Sequence, residues 1–428
     1  MLPISQVYSR LKKSQLFKDS FWALLGSSIG KGLALISGIV IARLLGSEAF
    51  GEYGLIRNTL TYIAIVSTFG LGYSATKYVA EYVTKHPKQT EALIKRLVQI
   101  TLITSCSLAI LQIIFAKQLA AFIVAPHLEH IIRIYSPLII LNALTTTQIA
   151  ILSGLKRFKT TAKINCIGGI AIFLFSCIGT YMWALSGAFG ALLVAFLIQT
   201  IISHREIKKA LIMYHSEEKY SITKSDTKSI LGFSLPIALQ DSLYAVTHWL
   251  STYIIITVSN YHEVGLITAA ATWQSIVIFI PAMLKNVMFS YLSSADDHQQ
   301  LVRKFLLVSF GSTTIPVLVI ALLSNYIAAF YGISFDGLNT IIVVMCVAAI
   351  IISLGEVYAF ELLSTGHSWV VFTSRIIRDM LTLGCSYIIL LRIDSDYALV
   401  YALIALVAHI VYLFIMRTLY KLHQRTNE

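Results

Sequence analysis

From Ile164 to Ile201 the chain runs without a single Asp, Glu, Lys or Arg. A helix needs about 20 apolar residues to cross a hydrocarbon core roughly 30 Å thick, so this stretch alone is long enough to cross twice. Similar apolar runs recur along all 428 residues, and only 13% of the chain is charged against 57% hydrophobic. Soluble domains carry about 25% charged residues, which excludes an ordinary soluble enzyme. The pattern predicts an all-α polytopic membrane protein.

Twelve spans are expected, near 20–42, 53–72, 97–116, 134–154, 164–182, 185–203, 230–258, 264–289, 305–325, 338–363, 369–391 and 397–416. At about 20 residues each they leave roughly 14 for each loop or tail, too few for an aqueous catalytic domain. The chain therefore does not read as an enzyme. Pro137, Pro236, Pro281 and Pro316 fall inside expected spans. Interior prolines kink helices, which suggests bent walls around a cavity.

The net charge of +12 is unevenly placed. With the N-terminus in the cytoplasm, 24 Lys and Arg lie on inner segments, 4 on outer ones and 5 within spans. This asymmetry predicts both termini in the cytoplasm and inner loops facing anionic lipid, with no role for nucleic acid. Residues 1–18 set Ile4, Val7, Tyr8, Leu11 and Phe17 against basic side chains, as in an interfacial helix. No small-residue cleavage site follows the first span, so a removable signal is not expected.

The two halves repeat. Glu52-Tyr53-Gly54-Leu55-Ile56 returns as Glu263-Val264-Gly265-Leu266-Ile267, and Leu93-Ile94-Lys95-Arg96-Leu97 as Leu301-Val302-Arg303-Lys304-Phe305. Two lobes of six spans around a central cavity are implied. The expected organisation is an interfacial segment 1–18, an N-terminal lobe 19–204, a cytoplasmic connector 205–228, a C-terminal lobe 229–417 and a cytoplasmic tail 418–428.

Several motifs mislead. Gly26-Ser27-Ser28-Ile29-Gly30-Lys31-Gly32 imitates a phosphate loop but lies inside a span, without a preceding strand. Its glycines read better as points of close helix approach. His127 and His130 lack further ligands, and the five cysteines have no partner at metal or redox spacing, so no metal and no bound cofactor are expected.

The informative residues are charges within spans, which are costly in hydrocarbon and usually face a cavity or a partner. Lys31, Arg57, Lys285, Arg375 and Arg378 are the cations. Lys31 is mid-span, whereas Arg57 and Lys285 lie near span ends and could anchor at the interface. Asp241, Glu356, Glu361 and Asp379 are the acids. Asp241, Tyr244, His248 and Ser251 share a helical stripe. Arg375 and Asp379 are one turn apart, so an internal ion pair is one reading and a proton or cation relay the other. Asp241, Asp379, His248 and Glu356 are the candidates for H⁺ or Na⁺ coupling. A site richer in cations than acids suits an anionic headgroup, because guanidinium and ammonium groups neutralise phosphate oxygens.

The run Ile41-Ala42-Arg43-Leu44-Leu45-Gly46-Ser47-Glu48-Ala49-Phe50-Gly51-Glu52-Tyr53-Gly54 resembles the first external loop of Wzx-type polysaccharide flippases. These belong to the multidrug/oligosaccharidyl-lipid/polysaccharide exporter superfamily. Phe69-Gly70-Leu71-Gly72-Tyr73-Ser74-Ala75-Thr76-Lys77-Tyr78 is similar to their second span end. The resemblance implies flipping of an undecaprenyl-diphosphate-linked oligosaccharide across a bacterial inner membrane by alternating access, for O-antigen, capsule or exopolysaccharide synthesis. It also implies polymerase machinery as a partner. In related lipid II flippases a cation site uses acids of spans 7 and 11, where Asp241 and Asp379 stand here; Arg375 departs from that pattern. The alternative is a cation-coupled drug or metabolite antiporter of the same superfamily, whose cavity should be acidic and aromatic.

Overall fold

The computed structural model describes residues 15–212, 220, 222, 224–292, 298–365 and 367–427, and the described residues are helical with short turns. Most of segment 1–18, part of the connector 205–228, and the side chains of Asp241 and Lys285 lie outside the described residues. Eight helices among the described residues are long and apolar enough to cross a membrane.

Two of these helices hold two spans each. Helix α1, Gln15–Thr68, has 54 residues, as does a later helix, Phe158–Leu211. At 1.5 Å per residue a straight helix of that length would measure about 80 Å, more than twice the hydrocarbon thickness. Each is interrupted once. In α1 the break is Gly46, at φ 77° and ψ 171°, a backbone region that a residue without Cβ enters at little steric cost. In the later helix it falls at Trp183 and Ala184. These breaks separate the first span from the second and the fifth from the sixth.

The second span differs from its expected limits. It starts at the Gly46 break and reaches Thr68. Phe69 and Gly70 then carry positive φ, and α2, Leu71–Lys85, continues the path. Next come α3, Thr90–Ile114, and two short helices, α4, Ala116–Phe122, and α5, Glu129–Tyr135. Helix α6, Pro137–Gly154, begins at its proline. Pro137 therefore sits at a helix start, where its missing N–H costs no hydrogen bond, and not within a span as expected. Helix α7 is Phe158–Leu211, and α8, Lys224–Val258, follows the connector. The remaining helices are α9, Tyr261–Leu292; α10, His298–Tyr331; α11, Leu338–Ser364; α12, Ser368–Leu390; and α13, Tyr397–Asn427. Pro236, Pro281 and Pro316 lie within α8, α9 and α10.

The helices form two compact units: one joins the described residues up to Ser37 with Ile56–Val246, the other joins Gly38–Leu55 with Thr247–Glu428. In the first unit, Leu71, Ala75, Val79, Leu93, Leu97, Ile151 and Leu152 pack in one buried cluster. Polar side chains bond between helices: Thr101 to Thr147 at 3.0 Å, Thr145 to Thr200 at 2.9 Å, and Ser74 to Ser234 at 2.6 Å. With no water in hydrocarbon, such hydroxyls must find protein partners. The close approach expected at Gly26 and Gly30 is present: a Cβ on Gly26 would collide with Ala162, and one on Gly30 would lie 3.1 Å from the Asn165 carbonyl.

In the second unit the two copies of the repeat motif meet. A Cβ on Gly51 would strike the Tyr261 carbonyl, and one on Gly265 would strike that of Ser47. Ser47 Oγ and His262 Nδ1 share a 2.7 Å hydrogen bond beside this contact. The Glu263 carboxylate accepts the Ala398 N–H at 2.7 Å, satisfying a free amide at the start of α13. The loop motif thus has a packing role. Gly51→Leu is expected to lower stability by about 1–3 kcal/mol through overpacking against backbone. Gly32→Ala, where a Cβ meets nothing within 4 Å, is the neutral control. Thermal unfolding in detergent compares the two variants, and equal midpoints would contradict the packing role.

Candidate functional site

The charges within the helices fall into two groups, one in each unit. Lys31 and Arg57 both lie on α1 and are exposed on the first unit. Lys31 is about 22 Å along the helix from the Gly46 break, and Arg57 about 16 Å beyond it. Arg57 is thus well inside its span. The alternative reading as an interfacial anchor rested on a span starting at residue 53, whereas the helix turns at Gly46. Gly30 seats α1 against α7 at Asn165, while the position beside Gly32 is open.

The second group is tighter. Four helices of the second unit contribute to it: α8 through Thr247 and His248, α11 through Glu356, α12 through Arg375, Arg378 and Asp379, and α13 through His409 and Tyr412. Arg375 Nη2 donates to Glu356 Oε2 at 2.8 Å. Arg378 holds Asp379 Oδ1 through Nε at 2.8 Å and Nη2 at 2.6 Å. The other oxygen of Asp379 accepts the Thr247 hydroxyl at 3.3 Å. The Arg378 guanidinium also lies 5.1 Å from the Tyr412 ring centre, in cation–π range. His248 and His409 stand within electrostatic reach of Arg378.

Ion pairing was expected between Arg375 and Asp379; the structure gives each a different partner. A cation preceding an acid by four residues is the weaker helical order, and Glu356 on the facing helix offers Arg375 a better acceptor. The expected stripe on α8 also divides. Tyr244 and His248 are exposed, whereas Ser251 is buried and donates to the Thr247 carbonyl at 3.0 Å. Asp379 lies about 16 Å from the Leu390 end of α12 and Thr247 about 16 Å from the Val258 end of α8, about half a hydrocarbon thickness. The Glu356–Arg375 pair lies closer to the opposite end.

Both pairs are largely shielded. Side-chain exposure is 14% for each arginine, 8% for Asp379 and 26% for Glu356. Charges at such depth are tolerated only when paired and hydrogen-bonded. Glu361, on the same helix as Glu356, is buried as well. Arg378 and Thr247 thus engage both oxygens of Asp379. Thr247, His409 and Tyr412 escaped sequence reasoning. His409 could have been found as a polar residue within an apolar span, but nothing in the sequence marks Tyr412 or Thr247.

A cavity of about 420 Å³ lies elsewhere in the first unit, lined by Tyr135, Phe175, Ile178, Trp183 and the glycines of α7. Its one phenol donates to the Ser186 carbonyl at 2.7 Å, and it holds no cation. It is therefore not a headgroup site.

The polysaccharide biosynthesis protein family matches residues 16–295. A Shigella flexneri protein provisionally named an O-antigen transporter is 26% identical over 325 residues, covering 72% of this chain and 74% of its own. Among solved structures, an inward-facing multidrug-resistance MATE transporter aligns at TM-score 0.78 and 15% identity, covering 95% of this chain and 100% of its own. The lipid II flippase MurJ, in an inward closed conformation, aligns at 0.75 and 14%, covering 93% and 87%. These similarities establish the fold as twelve membrane-spanning helices in two six-helix lobes. The chain belongs to the polysaccharide biosynthesis protein family of multi-pass membrane proteins.

Proposed function

We propose that the protein flips an undecaprenyl-diphosphate-linked oligosaccharide across the bacterial inner membrane by alternating access, for surface polysaccharide synthesis. The observation that carries this reading is the set of cations held at membrane depth: Lys31 and Arg57 on α1, Arg375 and Arg378 on α12. A diphosphate is the anion that a lipid-linked sugar brings to that depth, and guanidinium forks bind phosphate oxygens bidentately. Lys285 is the fifth headgroup contact in this reading, and Asp241 remains a coupling residue. Anionic lipids and the polysaccharide polymerase machinery are its partners.

The family match and the Shigella relative support the substrate class. A cationic drug would instead call for net negative charge, whereas Glu356 and Asp379 are each matched by an arginine. The test is expression in a strain lacking its own O-antigen flippase. Restored surface glycan is expected, and resistance to cationic drugs without restored glycan would favour the antiporter.

Both termini lie in the cytoplasm in this reading, as the division of Lys and Arg requires. A reporter fused after residue 215 should read cytoplasm and one after residue 330 periplasm. The reverse pattern would overturn the orientation.

A further inference from the structure

The two arginines of α12 are already paired with carboxylates. Arg375 is spent on Glu356 and Arg378 on Asp379. An anionic headgroup therefore meets no bare guanidinium here. We propose that Glu356 and Asp379 are resident anions, holding the headgroup positions when substrate is absent and being displaced by the diphosphate when it binds. This inference rests on the flippase reading above.

Three observations support it. First, the exchange conserves the hydrogen bonds of the arginines: a phosphate oxygen accepts the same charge-assisted N–H donors as a carboxylate oxygen. Binding and release can then both be easy, as a carrier requires. An empty arginine pair would instead hold the anion too tightly or be intolerable at this depth. Second, the site is reachable. Glu356 is the most exposed of the four charged side chains, at 26%. Third, part of the surrounding contacts survives the exchange. Asp379 keeps the Thr247 hydroxyl, and Arg378 keeps the face of Tyr412, whichever anion it holds. Arg375 and Arg378 are three residues apart on α12 and so are neighbours on one helix face, offering two guanidiniums to two phosphates.

Resident anions act by competition, which separates them from purely structural partners and from coupling acids. Removing a competitor must tighten binding, whereas removing a structural partner loosens it. The experiment measures binding of a radiolabelled polyprenyl diphosphate to purified protein in detergent, with polyprenyl alcohol as the uncharged control. Glu356→Gln and Asp379→Asn should each bind the diphosphate about tenfold more tightly, the scale of a relieved close charge pair. They should export glycan more slowly, because release is retarded. Affinity that is unchanged or weaker in Glu356→Gln would overturn the proposal. That variant decides the question if Asp379→Asn does not fold, since Glu356 is the less buried acid. If the wild-type protein binds the diphosphate no better than the alcohol, the flippase reading itself fails, which the variants' relative affinities cannot mimic.

Discussion

Arg378→Ala is expected to destabilise the protein by about 3–5 kcal/mol and to abolish glycan export. Asp379 is 8% exposed and depends on this guanidinium for charge compensation. Without it, Thr247 supplies a single 3.3 Å hydrogen bond, which cannot offset a buried carboxylate. The double variant Arg378→Ala/Asp379→Asn removes both charges. Its thermal midpoint in detergent should return close to wild type, because deleting a whole buried pair costs far less than breaking it. Export should stay absent, because the headgroup contact is still missing. Recovery of export in the double variant would reduce Arg378 to a structural counter-ion.

Lys31→Glu is expected to eliminate export while leaving expression and membrane insertion intact. The ammonium is exposed on the first unit, about 22 Å from the nearest turn of its helix, where the proposed flippase function gives it to the headgroup. A carboxylate there repels phosphate oxygens. Lys31→Ala should impair export less severely, and Lys31→Arg should retain part of it, since charge survives while reach and geometry change. Surface glycan normalised to protein level reads the series. Full export by Lys31→Glu would remove Lys31 from the headgroup site.

Much of this fold was legible because a bilayer imposes strict lengths on apolar runs. The uncharged run from Ile164 to Ile201 predicted a hairpin of two spans, and the helix breaks there at Trp183 and Ala184. Gly26 and Gly30 were read as contact points because a phosphate loop needs a strand before it, and α7 packs against them. Helix ends were harder. Pro137 was placed inside a span because hydropathy alone does not register a helix restarting at its proline. Arg57, a headgroup candidate, also left an interfacial reading open because the span was begun at residue 53 and not at the Gly46 turn.

The candidate site was legible only in its charges. Mid-span Arg375, Arg378, Glu356 and Asp379 stand out against apolar neighbours, since ionisable residues in hydrocarbon are rare. Their pairing was not legible. Spacing along α12 suggested Arg375 with Asp379, but the facing helix α11 decides the matter through Glu356. Tyr412 and Thr247 look like ordinary helix residues until three-dimensional packing brings them to Arg378 and Asp379.

The most direct test of the account is transbilayer movement in vesicles containing only the purified protein. A polyprenyl-diphosphate oligosaccharide with a fluorescent sugar is loaded in both leaflets, and an impermeant quencher reports the fraction reaching the outer face. The account predicts protein-dependent movement of this lipid, abolished by Lys31→Glu and by Arg378→Ala/Asp379→Asn. It also predicts little movement of the same glycan on an uncharged polyprenyl ether. Equal movement of the charged and uncharged lipids, or movement unaffected by both variants, would contradict the claim that membrane-depth cations recognise a diphosphate.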